Sequence, residues 1–250
     1  MQKKGLFDMD EPWLDGKVAL VTGASRGIGR ATALALAEQG MRLGLVARSE
    51  DLLGELTAQI TSQGGEAISL VCDVSDDAHI ESAVDACYSR YGALDVLVNN
   101  AGTFLEAPVE EIRLEDWEYA MRVNATAPFL FCQAVLPVMK EEGRGHIVNI
   151  SSTSGTKGYL YQAAYCAGKH ALMGFSRSLA LECRPHSIHV TVLCPGGVDT
   201  DFIAGTYLSE RLEGQTMLEA ENVADLVVYV LMQPANVDLP EIVVKRFHVD

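Results

Sequence analysis

Residues 18–29 read Val18-Ala19-Leu20-Val21-Thr22-Gly23-Ala24-Ser25-Arg26-Gly27-Ile28-Gly29. A short apolar run, the pattern of a buried strand, stops at a turn carrying Gly23, Gly27 and Gly29. The stretch that follows, Arg30-Ala31-Thr32-Ala33-Leu34-Ala35-Leu36-Ala37, is made largely of good helix formers. Glycine lets the chain turn sharply and lets another group approach the backbone closely. A helix starting there aims its unpaired N–H groups and positive dipole end at the turn, an arrangement that favours phosphate. The spacing is GxxxGxG rather than GxGxxG. Three glycines alone could equally be structural, and it is their position between a strand and a helix that points to a pyrophosphate.

Outward from this turn the chain keeps alternating. Val18 to Thr22, Arg42 to Val46, Ala67 to Cys72, Val96 to Asn99, Gly145 to Ser151, His189 to Cys194 and Glu241 to Val244 read as strands, with amphipathic helical segments between them. Strands without polar alternation, joined by helix-length crossovers, predict a parallel sheet covered on both faces. The expected fold class is therefore α/β, a single doubly wound Rossmann-type domain with a seven-stranded parallel sheet, whose ligands bind beyond the carboxyl ends of the strands. Residues 1–15 read as an N-terminal arm and 16–250 as the dinucleotide-binding catalytic domain. The pattern weakens near 196–220, a loop long enough to act as a lid.

Composition removes several function classes. A formal charge of -15 over 250 residues repels nucleic acid backbones and anionic membranes, so neither is an expected partner, and no apolar run reaches the length of a membrane span. Asp8, Asp10, Glu11 and Pro12 near the start do not read as a signal peptide. The six cysteines include no CxxC pair, which predicts no metal and fits a reduced cytoplasm. His186 and His189, close in sequence but without partners at ligand spacing, read as surface residues.

Further along, five motifs occur in order: Thr22-Gly23-Ala24-Ser25-Arg26-Gly27-Ile28-Gly29; Cys72-Asp73-Val74; Asn99-Asn100-Ala101-Gly102; Ser152 with Tyr165-Cys166-Ala167-Gly168-Lys169; and Pro195-Gly196-Gly197-Val198-Asp199-Thr200. Together they resemble the short-chain dehydrogenase/reductase family from about Leu14 to the C-terminus. The resemblance implies a nicotinamide dinucleotide held by Gly23, Ser25, Arg26, Gly27, Ile28, Gly29, Asn100, Ala101, Gly102, Tyr165, Lys169, Pro195 and Gly196. It also implies Asp73 and Val74 at the adenine, and Val198 and Thr200 beside the nicotinamide carboxamide. Taken singly, Asp73 could be a helix cap ahead of Ser75, and Asn99 to Gly102 only a turn that satisfies its own backbone.

Tyr165 and Lys169, four apart among helix formers, share one helical face. Ser152 stands 13 residues before the tyrosine, after a strand. Reducing a carbonyl by hydride leaves charge on oxygen that a positioned acid must protonate. A phenol near pKa 10 suits that role at neutral pH only if lowered, and the Lys169 ammonium is expected to lower it. The resemblance gives Ser152 a hydrogen bond to the substrate oxygen, Lys169 a hold on the nicotinamide ribose, and Asn124 a water in the proton relay. By its residues alone, Asn124 could be a solvent-facing helix position. Tyr161 reads as pocket wall.

The end of the second strand, Val46-Ala47-Arg48, lacks the carboxylate that an NAD-specific site places there. By resemblance, Arg26 and Arg48 flank a 2′-phosphate and Ser49 adds a hydroxyl, so NADP is the expected cofactor; each arginine could otherwise be a plain surface cation. The expected substrate is a small aldehyde, ketone or hydroxy acid, the alternative a 3-oxoacyl thioester of acyl carrier protein, and more remotely a dinucleotide sensor without turnover. Lys157 or Arg211 could meet a substrate carboxylate or be merely solvated. Helices near Trp117 to Lys140 and Ala163 to Cys183 are apolar on more than one face, and the resemblance implies a homotetramer.

Overall fold

The computed structural model describes residues 14–247; positions 1–13, which hold most of the expected N-terminal arm, and 248–250 lie outside them. Seven strands form in chain order: β1 (Val18–Thr22), β2 (Arg42–Ala47), β3 (Glu66–Val71), β4 (Val96–Asn99), β5 (Gly145–Ile150), β6 (Ile188–Pro195) and β7 (Glu241–Val244). They make one sheet in the order β3-β2-β1-β4-β5-β6-β7, and every neighbouring pair is parallel. The helices are α1 (Gly27–Glu38), α2 (Glu50–Ser62), α3 (Asp77–Tyr91), α4 (Leu114–Met121), α5 (Ala127–Glu142), α6 (Ala163–Cys183), α7 (Tyr207–Arg211) and α8 (Ala220–Leu231).

The side-chain period of two explains why the central strands show no polar alternation. Val18 and Leu20 of β1 point into a core built with Ile80 and Val84 of α3, Phe131 and Val135 of α5 and Leu179 of α6. Ala19 and Val21 point the other way, into a core built with Leu36 of α1, Leu53 and Leu56 of α2 and Val227 of α8. Both faces are dry, so both sets must be apolar. Burying one Val or Leu stabilises by roughly 1.5–3 kcal/mol. The expected cover on both faces thins at the edges: Val71 of β3 and Val243 of β7 are exposed.

At the amino ends of the strands, the buried Asp95 carboxylate accepts from Val18 N (3.0 Å) and pairs with Lys17 and Arg144, tying β1, β4 and β5 in register. His189 departs from its expected surface position. It is half-buried and stacks on His146, whose ring bonds Thr191 Oγ1 at 3.1 Å. At the opposite ends the chain leaves β1 towards β2 and returns to pair β4 beside β1. That reversal opens the crevice in which doubly wound sheets receive ligands. The segment after β6 is more ordered than a plain loop: Val198 bridges Leu218, a 3-10 turn spans Asp201–Ile203, and α7 follows. Among the described residues no helix is long and apolar enough to cross a membrane, and no cluster of His, Cys, Asp and Glu is suited to hold a metal.

Candidate active site

The glycine turn is locked from beneath by its own neighbours. Thr22 Oγ1 donates to Val98 O (3.3 Å) and accepts from Asn100 N and Ala101 N (3.0 Å each), while Asn100 Nδ2 donates to Thr22 O and Gly23 O. The end of β4 thereby closes against the end of β1. Gly23 and Gly27 have φ of +66° and +52°, and a Cβ on Gly29 would stand 2.2 Å from Gly23 O and 2.5 Å from Asn100 Nδ2. Only glycine permits this closure. Arg26 occupies the N-cap of α1 in an extended conformation and makes no side-chain cap, so the first-turn N–H groups keep their affinity for an anion. Thr200 reaches the same turn, since a Cβ on Gly27 would lie 3.1 Å from its Cγ2. Gly196 N donates to Val244 O and fixes the chain as it leaves Pro195. Ser25 is half-buried within the turn, whereas Ile28 and Val198 pack against the core behind it. These residues fit a dinucleotide by the chemistry of their donors.

At the end of β2, Arg48 is exposed and donates to Tyr119 Oη at 3.3 Å. Ser49, at the N-cap of α2, makes no side-chain cap. Asp73 accepts from Ser75 N (2.9 Å) and Ser75 Oγ (2.7 Å), closing a turn rather than capping α3, whose cap is Asp76. Burial alone would raise the Asp73 carboxyl; the Ser75 bonds and the Arg48 charge outweigh it and hold it below the usual range. Val74 lines a small cavity with Thr22, Asn99 and Ala101. Arg122 braces this corner by donating to Ser75 O at 3.0 Å and pairing with Asp77. Neither Arg122 nor Tyr119 carries a sequence motif.

Ser152 follows β5, its Oγ accepting from Ser154 N at 3.1 Å. Tyr165 and Lys169 lie on the first turns of α6, 7% and 3% exposed. Lys169 Nζ donates to Ile150 O at 2.9 Å and stands 5.8 Å from the centre of the Tyr165 ring. Burial pushes the Tyr165 phenol well above its ordinary value, with a hydrogen bond to Ser152 acting against that rise. The expected lowering by Lys169 does not prevail, because the ammonium is engaged by a carbonyl and is itself disfavoured by burial, which brings Lys169 down to about 8.

Asn124 is fully buried, which removes the solvent-facing alternative. The helix expected over this region breaks at a π turn, Arg122–Thr126, between α4 and α5. Such turns add a residue to the helical ladder and redirect a side chain. Asn124 Oδ1 accepts from Thr103 N (3.2 Å) and its Nδ2 donates to Thr103 O (2.8 Å). Two glycines permit the approach: a Cβ on Gly168 would lie 2.9 Å from Asn124 Cβ, and one on Gly102 3.1 Å from Asn124 Oδ1 and 3.6 Å from Lys169 Nζ. Gly102, Asn124 and Lys169 thus meet at one point.

Beyond Tyr165 the surroundings turn aromatic. Phe104 packs edge-on against Tyr165, ring centres 5.0 Å apart, and Phe202 lies 6.1 Å from both. Tyr161, at a φ of +61°, packs edge-on against Tyr207 and accepts from Ala107 N through its carbonyl. A left-handed tyrosine is costly and persists only where its surroundings impose it. Lys157 lies over the Tyr159 ring at 4.8 Å and Arg211 over Tyr207 at 5.7 Å. Both cations, considered for a substrate carboxylate, face their own tyrosines. Phe104 and Glu106 belong to the loop after β4 and escape sequence reasoning, since that loop carries neither period nor motif.

The sequence model of the short chain dehydrogenase family matches residues 17–210. A D-threitol dehydrogenase from Mycolicibacterium smegmatis is 41% identical over 188 residues, covering 75% of this chain and 72% of the relative. A 3-oxoacyl-[acyl-carrier-protein] reductase from Synechocystis sp. is 34% identical over 232 residues, 89% of this chain and 92% of the relative. Among solved structures, a metagenomic short-chain oxidoreductase in complex with NADP superposes with a TM-score of 0.83 at 34% identity, covering 94% of this chain and 99% of that one.

Proposed function

The chain belongs to the short-chain dehydrogenase family, and on that premise we propose that it is an NADP(H)-dependent oxidoreductase acting on the carbonyl or alcohol carbon of a small molecule. The observation that carries the reading is the meeting of Ser152, Tyr165, Lys169 and Asn124 at the carboxyl end of β5, beside an uncapped glycine turn. Gly23, Ser25, Gly27, Gly29, Asn100, Ala101 and Gly102 hold the dinucleotide, with Ile28, Pro195, Gly196, Val198 and Thr200 around it and Asp73 and Val74 at the adenine. Arg26, Arg48 and Ser49 receive the 2′-phosphate; NADP as the cofactor is supported by the related oxidoreductase solved in complex with it. When bound, the dinucleotide supplies or accepts the hydride at the substrate carbon.

The chain's own residues do the rest. Ser152 Oγ bonds the substrate oxygen and sets its distance from the Tyr165 hydroxyl. In the reducing direction Tyr165 gives its proton to that oxygen as charge develops there. The phenol is protonated at neutral pH, the state this step needs, and burial, which raises it further, makes it the weaker donor. Lys169, which donates to the Ile150 carbonyl, would hold the nicotinamide ribose, and Asn124 would fix a water that returns the proton. The segment near 196–220 is the lid. A reduced cytoplasm suits six free, buried cysteines. A homotetramer would cover Trp117, Phe129 and Leu181, which stand exposed on α4, α5 and α6.

The similarity to an acyl-carrier-protein reductase supports a second reading, against which stands the charge of -15, since an acidic carrier docks on a basic face. The deciding experiment on the main reading compares Tyr165→Phe with wild type. NADPH binding, followed by fluorescence, should persist while kcat falls by at least the ~100-fold of a lost general acid. Turnover near the wild-type rate would refute the assignment.

A further inference from the structure

Resting on that reading, we infer that the substrate is a neutral carbonyl compound, or its alcohol, bearing an aromatic or similarly flat apolar group, and that Glu106 turns anionic substrates away. The reacting oxygen must reach the Tyr165 hydroxyl, so the carbon framework attached to it passes beside the Phe104 and Phe202 rings that adjoin the Tyr165 ring. Those three rings form a closed triangle with centres 5.0, 6.1 and 6.1 Å apart. Phe202 is 43% exposed, which leaves apolar ring surface for a ligand. Aromatic rings prefer edge-on and offset partners, and a flat apolar substituent can join the triangle in either manner. Tyr161 and Tyr207, edge-on to each other at 5.9 Å, extend the same wall. A polyol or a charged chain would strip water from its polar groups against the Phe104 and Phe202 rings, which offer no hydrogen bonds in exchange.

The charges nearby point the same way. Glu106 is half-buried, two residues beyond Phe104, and its Oε2 accepts from the backbone N–H of Leu208 at 3.0 Å. It therefore joins the loop bearing Phe104 to the segment bearing Phe202 and Tyr207. It has no ion-pair partner among the described residues. Lys157 and Arg211 lie over Tyr159 and Tyr207, and neither forms an ion pair with it. A carboxylate entering beside Glu106 would meet a like charge that no ion pair among the described residues engages, and a site discriminates by such unfavourable pairings as much as by attraction.

The test measures kcat/KM with NADPH for acetophenone, for a saturated methyl ketone of similar size, and for benzoylformate, which adds a carboxylate to the aryl ketone. Wild type should favour acetophenone over each of the others by about ten-fold or more. Glu106→Gln, which keeps a hydrogen-bond acceptor and removes the charge, should raise benzoylformate relative to acetophenone by about ten-fold. Phe202→Ala should erase most of the aryl-over-saturated ratio, chiefly through KM; NADPH fluorescence verifies that both variants are folded. A wild type that favours benzoylformate or the saturated ketone, or variants whose ratios stay unchanged, would overturn the inference and leave the oxidoreductase reading intact. A protein that binds NADPH and reduces none of the three would overturn the inference alone, because the oxidoreductase reading extends to other carbonyl compounds and alcohols.

Discussion

The two halves of the crevice are built from different materials. Above β1, β2 and β3 the surface is mostly backbone: the glycine turn, the ends of β2 and β3, and Asn100 donating to the carbonyls of Thr22 and Gly23. Beyond β5 and β6 it is mostly aromatic side chain: Phe104, Phe202, Tyr161 and Tyr207, contributed by separated segments of the chain. A backbone surface tolerates little, because an added Cβ has nowhere to go. A side-chain surface can be recut residue by residue while the fold persists. That division allows one sheet to keep its dinucleotide and change its substrate.

The sharpest way to break this contrast is to place a side chain in each half. Gly29→Val, with its Cβ 2.2 Å from Gly23 O, should destabilise the fold by at least about 3 kcal/mol in urea denaturation and abolish NADPH binding. Gly158→Ala, near the substrate side with nothing within 4 Å of the new methyl, should stay within about 0.5 kcal/mol of wild type. Equal losses would mean that the halves are equally rigid.

Lys169 sits on the seam, and pH reports on it. Burial lowers it from 10.5 to about 8, so between those values the unfolded chain binds the proton and the native protein does not. Stability of the cofactor-free protein therefore gains from this group as pH rises from about 8 to 10.5, and loses that gain as pH falls back through 8. The gain, on the order of 3 kcal/mol, should vanish in Lys169→Met. Parallel stability–pH curves for the two proteins would show that the buried ammonium costs nothing.

On the cofactor side, Arg26→Ala and Arg48→Ala should each lower the NADPH-over-NADH ratio of kcat/KM about ten-fold, the weight of one charged hydrogen bond. Ala47→Asp should shift the ratio further towards NADH by supplying the missing carboxylate. Arginine variants with an unchanged ratio would place the 2′-phosphate elsewhere. The smallest effect is expected from Tyr119→Phe. It removes the 3.3 Å bond from Arg48, and should cost about three-fold in the same ratio without altering NADH kinetics. A larger loss would show α4 to be part of the cofactor wall itself.

Legibility follows the same division. The strands could be read because two dry faces demand apolar runs, and where their bounds differ they do so by one residue at a strand end, as at Ala47, Glu66, Ile150 and Ile188. The glycine turn was legible because backbone closure there requires glycine at Gly23 and Gly29. Tyr165 and Lys169 were legible because one helical face joins residues four apart. Asn124 was named, yet its burial and the π turn beneath it were not foreseeable, since a π turn has no period of its own and depends on α6 approaching at Gly168.

By itself, then, the sequence determined whatever a local or periodic constraint imposes: a doubly wound parallel sheet, its glycine turn, and a tyrosine and lysine on one helical face. Only the tertiary structure decided which residues surround the Tyr165 ring and how they ionise. Glu106 bonds a backbone 102 residues away, and Arg48 meets a tyrosine 71 residues on. Such pairings follow from the packing of whole elements, of which no short stretch holds a record. The Tyr165 phenol moved up rather than down for the same reason: burial is set by every neighbour at once, and here it outweighs the single charge that the spacing of Tyr165 and Lys169 makes visible.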